Sequence, residues 1–150
     1  MKRIIVLFLS IIVIAVVPVW SQSVSLLDQH EGQPALIGLK LDELIKRFGA
    51  PYSVYSARGD ETWQDDVVFT YPEGDFYIHR DRVWQIGLKS AFGLKIGDPK
   101  SAALLALGVE AQDRGTYILC PLPSSAWPLS IRVNCTMGRI AAIYVYRPDY

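Results

Sequence analysis

Apolar residues recur at every second position through much of this chain, and that period commits it to half-buried β-strands. Val67, Phe69 and Tyr71 are two apart, with Trp63 opening the run. Phe76 and Ile78 follow, then Trp84, Ile86 and Leu88. Pro72-Glu73-Gly74-Asp75 and Asp81-Arg82 interrupt the pattern with turn chemistry, which predicts strands joined by short hairpins. Tyr117–Cys120, Leu129–Cys135 and Ile140–Tyr146 read as further strands. They are separated by a Pro-flanked loop, Pro121 to Pro128, and a turn at Thr136-Met137-Gly138.

Two short stretches change period. Leu41, Leu44, Ile45 and Phe48 are three and four apart, which predicts an amphipathic helix stopped by Gly49 and kept from resuming by Pro51. Ala103, Leu104 and Leu107 form a second such stripe, with Asp98 placed to cap the helix and Pro99 at its first position. Gly38 and Gly49 bracket the first helix, and Gly97 and Gly108 bracket the second at the same spacing. Arg139-Ile140 also echoes Arg82-Val83 at a strand start. The expected fold class is therefore α+β: two tandem helix-plus-antiparallel-meander units, residues 37–90 and 91–150. Each half alone would bury too little surface to be stable. Together they would share one sheet, with both helices on one face and the other face open.

The chain begins with Lys2-Arg3, an apolar run from Ile4 to Trp20 broken by Ser10, and the small residues Ser21 to Ser23. These are the three regions of a secretory signal, with cleavage placed after Ser21. The rival reading is an uncleaved anchor, since 17 residues just reach the length of a membrane-spanning helix. Either way the rest of the chain is exported, to the periplasm or the exterior. Residues 22–36 lack periodicity and read as a flexible arm. With Lys2 and Arg3 removed, the 15 acidic residues exceed the basic ones by two. No Lys/Arg stripe occurs, which excludes nucleic acid as the expected partner.

Little in the sequence carries catalytic chemistry. No nucleophile elbow, phosphate loop or dinucleotide fingerprint is present. His30 and His79 lack the companions a metal site needs, so no metal and no cofactor is expected. Asp65-Asp66 and Glu73/Asp75 are acidic pairs at turns, without a third partner that would make them an acid–base site. The chain reads as a non-enzyme. Cys120 and Cys135 are an even pair in an exported protein, which favours a disulfide. They would end consecutive antiparallel strands at opposite edges, so two small buried hydrophobes are the alternative to that disulfide.

The aromatic residues suggest where binding occurs. Strand parity turns Phe76, Ile78, Trp84, Ile86 and Leu88 toward the helices, and Tyr77, His79, Val83 and Gln85 toward the open side. Ile143 and Val145 would face inward, Tyr144 and Tyr146 outward. Trp127 lies in the Pro-flanked loop. Tyr77, His79, Trp127, Tyr144 and Tyr146 are the candidate binding residues, because stiff aromatics on an open sheet are what protein interfaces favour.

Glycine, short helix, Leu-Gly or Phe-Gly, Pro, then a meander starting its last strand on a basic residue: this order resembles a known family. It is carried by Gly38, Leu44, Phe48, Gly49, Pro51, Trp63, Arg82 and Val83, and again by Gly97, Leu104, Leu107, Gly108, Arg139 and Ile140. It is similar to the SmpA/OmlA outer-membrane assembly lipoproteins and to the tandem-repeat β-lactamase inhibitory protein. The resemblance implies a bacterial envelope or secreted protein, inhibitor-like in architecture, that binds other proteins. The lipoproteins' anchor cysteine is absent, and both cysteines fall in the second half rather than one disulfide in each. The expected function is a protein-binding module with an unidentified protein partner. The alternative is a structural envelope protein that homodimerises through the open face.

Overall fold

A computed structural model describes residues 34–58, 65–123 and 127–150. The signal segment 1–21, most of the arm, His30 and Trp63 lie outside the described residues. The described residues form ten strands and two α-helices: α1 (Leu41–Phe48), β1 (Ser53–Ala57), β2 (Asp66–Tyr71), β3 (Gly74–His79), β4 (Arg82–Leu88), β5 (Ser90–Ala91), β6 (Leu94–Lys95), α2 (Lys100–Leu107), β7 (Gln112–Asp113), β8 (Tyr117–Leu122), β9 (Leu129–Thr136) and β10 (Arg139–Tyr146). Eight strands make one sheet in the order β1-β2-β3-β4-β10-β9-β8-β7, and β5-β6 is a separate ribbon.

Two tandem helix-plus-meander units are not what the chain builds. It is dominated by this single antiparallel sheet, and the helices are eight-residue segments laid on it. The physical reason is the pairing of β4 with β10: Ile143 lies opposite Leu88 and Val145 opposite Ile86. All four side chains are buried in one core cluster that also holds Leu44, Phe76, Ala103, Leu107, Ile118 and Ile131. No boundary separates one half of that core from the other.

Each helix is fixed to the sheet by the same local device. Gly38 and Gly97 take left-handed backbone angles, φ 92° and 95°. Gly38 then exchanges backbone hydrogen bonds with the start of β4, donating to Val83 O at 2.7 Å while Val83 N donates to Leu39 O at 2.9 Å. Gly97 N donates to Ile140 O and Ile140 N to Asp98 O, both at 2.8 Å, at the start of β10. The Arg82 guanidinium donates to Gly38 O and that of Arg139 to Gly97 O, each at 2.8 Å. Asp98 does not cap α2. Its carboxylate accepts from Lys95 N at 3.0 Å, and Pro99 holds the cap position.

Two bulges reset the strand parity. Tyr77 pairs with Gln85 and Ile78 with Val83, which leaves Trp84 as the extra residue of β4. Ile140 pairs with Cys135 and Ala142 with Asn134, which leaves Ala141 extra in β10. A bulge puts two residues opposite one and reverses the facing beyond it. Val83 is therefore in the core, fully buried, where simple alternation placed it outside. Trp84 moves off the core face. Leu36 and Ile37 are buried too, so the presumed arm ends in a 3-10 turn (Pro34–Leu36) that docks into the core rather than hanging free.

Cys120 and Cys135 are free, so the expected disulfide is corrected. Cys120 lies opposite Ile131, and Cys135 opposite Ile140 on the other side of β9. Four residues of strand separate Ile131 from Cys135, about 13 Å, well beyond the reach of a disulfide. Burial raises both thiols, and neither is poised as a nucleophile.

Gly74 sits at φ 153° with its face against β4, where an added Cβ would lie 2.5 Å from Gly87 O. Gly74→Ala should cost at least about 2 kcal/mol in urea unfolding, because backbone rather than a side chain must give way. Arg82→Met should cost about 1–3 kcal/mol, and more than Arg139→Met, since the Arg82 contact is partly buried and that of Arg139 is exposed.

Candidate functional site

The sheet has one face under the helices and one that no described helix covers. The helix face carries Phe76, Ile78, Val83, Ile86, Ile131, Val133, Ile143 and Val145, all buried. Register places a tyrosine row on the other face. Tyr55 of β1 lies opposite Val68, Val68 opposite Tyr77, Tyr77 opposite Gln85, and Gln85 opposite Tyr146. Tyr144 stands in the adjacent row, opposite Gly87 and Arg132.

Small residues and bulky rings alternate here for a steric reason. Gly87 has no side chain, and the Tyr144 ring fills the space, 3.3 Å from where a Cβ would stand. From there Tyr144 meets Tyr77 edge to face, with ring centroids 6.2 Å apart. Val68, opposite Tyr55 and Tyr77, is fully buried although it lies outside the main core. Burial raises the Tyr77 phenol well above its ordinary value, reinforced by the neighbouring Tyr144 and Tyr55. Burial also raises Tyr55, with the Asp75 carboxylate adding to the effect. These phenols stay protonated and act as hydrogen-bonding tips on rigid rings. The Arg132 guanidinium lies 4.5 Å from the centre of the Tyr117 ring, and both residues stand on this face.

A cleft of about 250 Å³ opens beside the middle of the row, where Asp75, Tyr77, Gly87 and Tyr144 meet Ile96 and Lys89. His79 and Asp66 do not line it. They form a pair of their own: His79 Nδ1 is 3.7 Å from Asp66 Oδ1, and Tyr150 packs edge-on against the imidazole at 5.8 Å. Asp66 is 8% exposed. Burial raises its carboxyl above the usual carboxylate range, against the opposing pulls of Trp84 and His79 and with a further push from Asp65. The Trp84 indole N–H is sealed from solvent and falls short of a full hydrogen bond, yet its dipole favours the ionised carboxylate. Among the described residues no group of three or more His, Cys, Asp or Glu side chains could hold a metal ion.

The structure thus brings Tyr77, Tyr144 and Tyr146 onto one face and places His79 beside it, against Asp66. Trp127 stands apart, at the sheet end. Its indole packs on Gly38, and Arg147 stacks on it at 4.2 Å and on Tyr150 at 4.5 Å. Sequence reasoning missed Tyr55 because β1 shows no apolar alternation. It missed Trp84 because the bulge is invisible to parity. Trp84 and Asp66 had one usable signal: a tryptophan and an adjacent acid pair within a strand pattern.

No family model matches the chain, and no curated protein matches it. Among solved structures it is similar to a cysteine-rich secretory protein from Staphylococcus aureus subsp. aureus Mu50, at 12% identity and TM-score 0.48 over 81% of this chain and 48% of that one. It is also similar to an extracellular protein containing an SCP domain from Bacillus anthracis str. Ames, at 12% identity and TM-score 0.46 over 77% of this chain and 45% of that one. The chain spans about half the length of each. Neither is an SmpA/OmlA lipoprotein or a β-lactamase inhibitory protein, and no family model supports the repeat pattern. The resemblance expected from sequence, with its tandem-repeat and inhibitor-like architecture, is corrected accordingly.

The Asp66 shift has a testable sign. A folded-state carboxyl raised above its unfolded value contributes stability that is present at low pH and lost as pH rises through the raised value. Asp66→Asn should therefore unfold at higher urea than the parent at pH 7. The advantage should shrink toward zero below about pH 4, where an ordinary unfolded carboxyl is also protonated.

Proposed function

We propose that this chain is an exported, non-enzymatic protein-binding module whose partner docks on the tyrosine face. Support for export is the basic, apolar and small-residue order of its first 21 residues. The observation that carries the binding reading is the contact of Tyr77 with Tyr144 on the helix-free face, with Tyr146 in the row of Tyr77. Three rigid rings held by strands offer large amphipathic contact area at little entropic cost, and such residues dominate binding energy at protein interfaces. His79 lies beside the patch, against Asp66, and Trp127 stands apart from it, on Gly38 and Arg147. The non-enzymatic reading rests on separation. Among the described residues the histidine–carboxylate pair lies outside this cleft, so the two do not converge on one site.

Affinity capture from the compartment the protein occupies, followed by chemical crosslinking to map contacts, tests this. Wild type should recover a partner crosslinked to this face. Tyr144→Ala and Tyr146→Ala should keep the circular dichroism spectrum and weaken capture at least about tenfold each, a loss above about 1.4 kcal/mol. Unchanged capture by both folded variants would refute the surface.

A further inference from the structure

We infer that the outer edge of β1 pairs with β1 of a second copy of this chain, joining two sheets into one. This does not rest on the partner proposed for the tyrosine face. Among the described residues the sheet ends in two edges, β1 and β7. The β7 edge is two residues long and is pinned by charge, with Lys100 Nζ 2.6 Å from Asp113 Oδ1 and 2.7 Å from Gly115 O. The β1 edge is five residues, Ser53-Val54-Tyr55-Ser56-Ala57, with no charged residue and no proline within it. Val54 is 52% exposed and Tyr55 46%. Natural proteins guard edges with short strands, charges or prolines, and an unguarded apolar edge is a template for strand addition. β7 shows those guards and β1 does not.

The sequence of the edge selects its occupant. An antiparallel pair centred on Tyr55 sets Tyr55 opposite its own copy, Val54 opposite Ser56 and Ser53 opposite Ala57. Nothing in that register clashes in charge. Just beyond the strand it sets Arg58 opposite Tyr52, which is 79% exposed, so a guanidinium meets a tyrosine ring at both ends. A two-fold axis through the pair keeps the faces in step: Tyr55 belongs to the tyrosine row, so the row runs unbroken from one copy into the next. Cross-strand aromatic pairs of this kind stabilise antiparallel edges. Two five-residue strands bury little area, so the association is reversible and concentration-dependent.

Sedimentation velocity of the protein purified after export, over a series reaching high micromolar concentration, should show a monomer–dimer equilibrium. Tyr55→Lys sets two like charges opposite each other and should leave only monomer, with the circular dichroism spectrum unchanged. Tyr55→Cys under copper–phenanthroline should give a covalent dimer above the wild-type background from Cys120 and Cys135. Ala57→Cys should not, because residue 57 faces Ser53 rather than itself. Wild-type monomer at every concentration would overturn the inference and leave the edge to some other strand. So would a dimer insensitive to Tyr55→Lys, or crosslinking of Ala57→Cys equal to that of Tyr55→Cys.

Discussion

The antiparallel seam between β4 and β10 is the contact on which the rest depends. Strands β1 to β4 form one run of hairpins and β7 to β10 another, and only this seam makes them one sheet. Leu88, Ile86, Ile143 and Val145 meet across it, all essentially shielded from water. Burying such side chains contributes about 1.5–3 kcal/mol each. The helices are too short to hold themselves together and depend on packing. α1 lies over Phe76 through Phe48, whose ring centroid is 5.6 Å away. α2 lies over β8 and β10 through Ala103 and Leu107. Neither would have a surface to rest on if the seam opened.

The same seam organises the other face. Tyr77 reaches it from β3 and Tyr144 from β10, so their contact exists only because β4 and β10 are neighbours. Gly87, on β4, leaves the room that Tyr144 occupies. The helix face is a closed core that stabilises. The tyrosine face is a set of half-buried rings with polar tips. The bulges at Trp84 and Ala141 sit near the beginnings of the two seam strands, where a change of facing lets Val83 and Ile140 enter the core beside the glycine bridges that tie down each helix.

Both helices were legible in sequence, because three-and-four spacing ended by Gly49 and Gly108 has no other good reading. The long strands were legible for the same kind of reason. β1 was not, since Ser53-Val54-Tyr55-Ser56-Ala57 is exposed almost throughout and edge strands lack the one-sided burial that writes a period into sequence. The facing of Val83 and Trp84 was lost to a bulge, which parity cannot detect. The matched glycine spacing suggested a family. In the structure it records one local solution used twice, a left-handed glycine whose carbonyl is held by an arginine from the next strand. Alternation put Tyr77, Tyr144 and Tyr146 on one face, as the register does, whereas the pairing of His79 with Asp66 depends on strand register that no local pattern reveals.

Native-state hydrogen exchange at the seam tests the central claim most directly. The amides of Ile86, Leu88, Ile143 and Val145 that bond across β4 and β10 should exchange only through global unfolding, with one free energy, within about 1 kcal/mol of the chemical-denaturation value. If those amides exchange well before the β2–β3 and β8–β9 amides, the two runs of hairpins separate while each stays folded. The single-sheet account would then be contradicted.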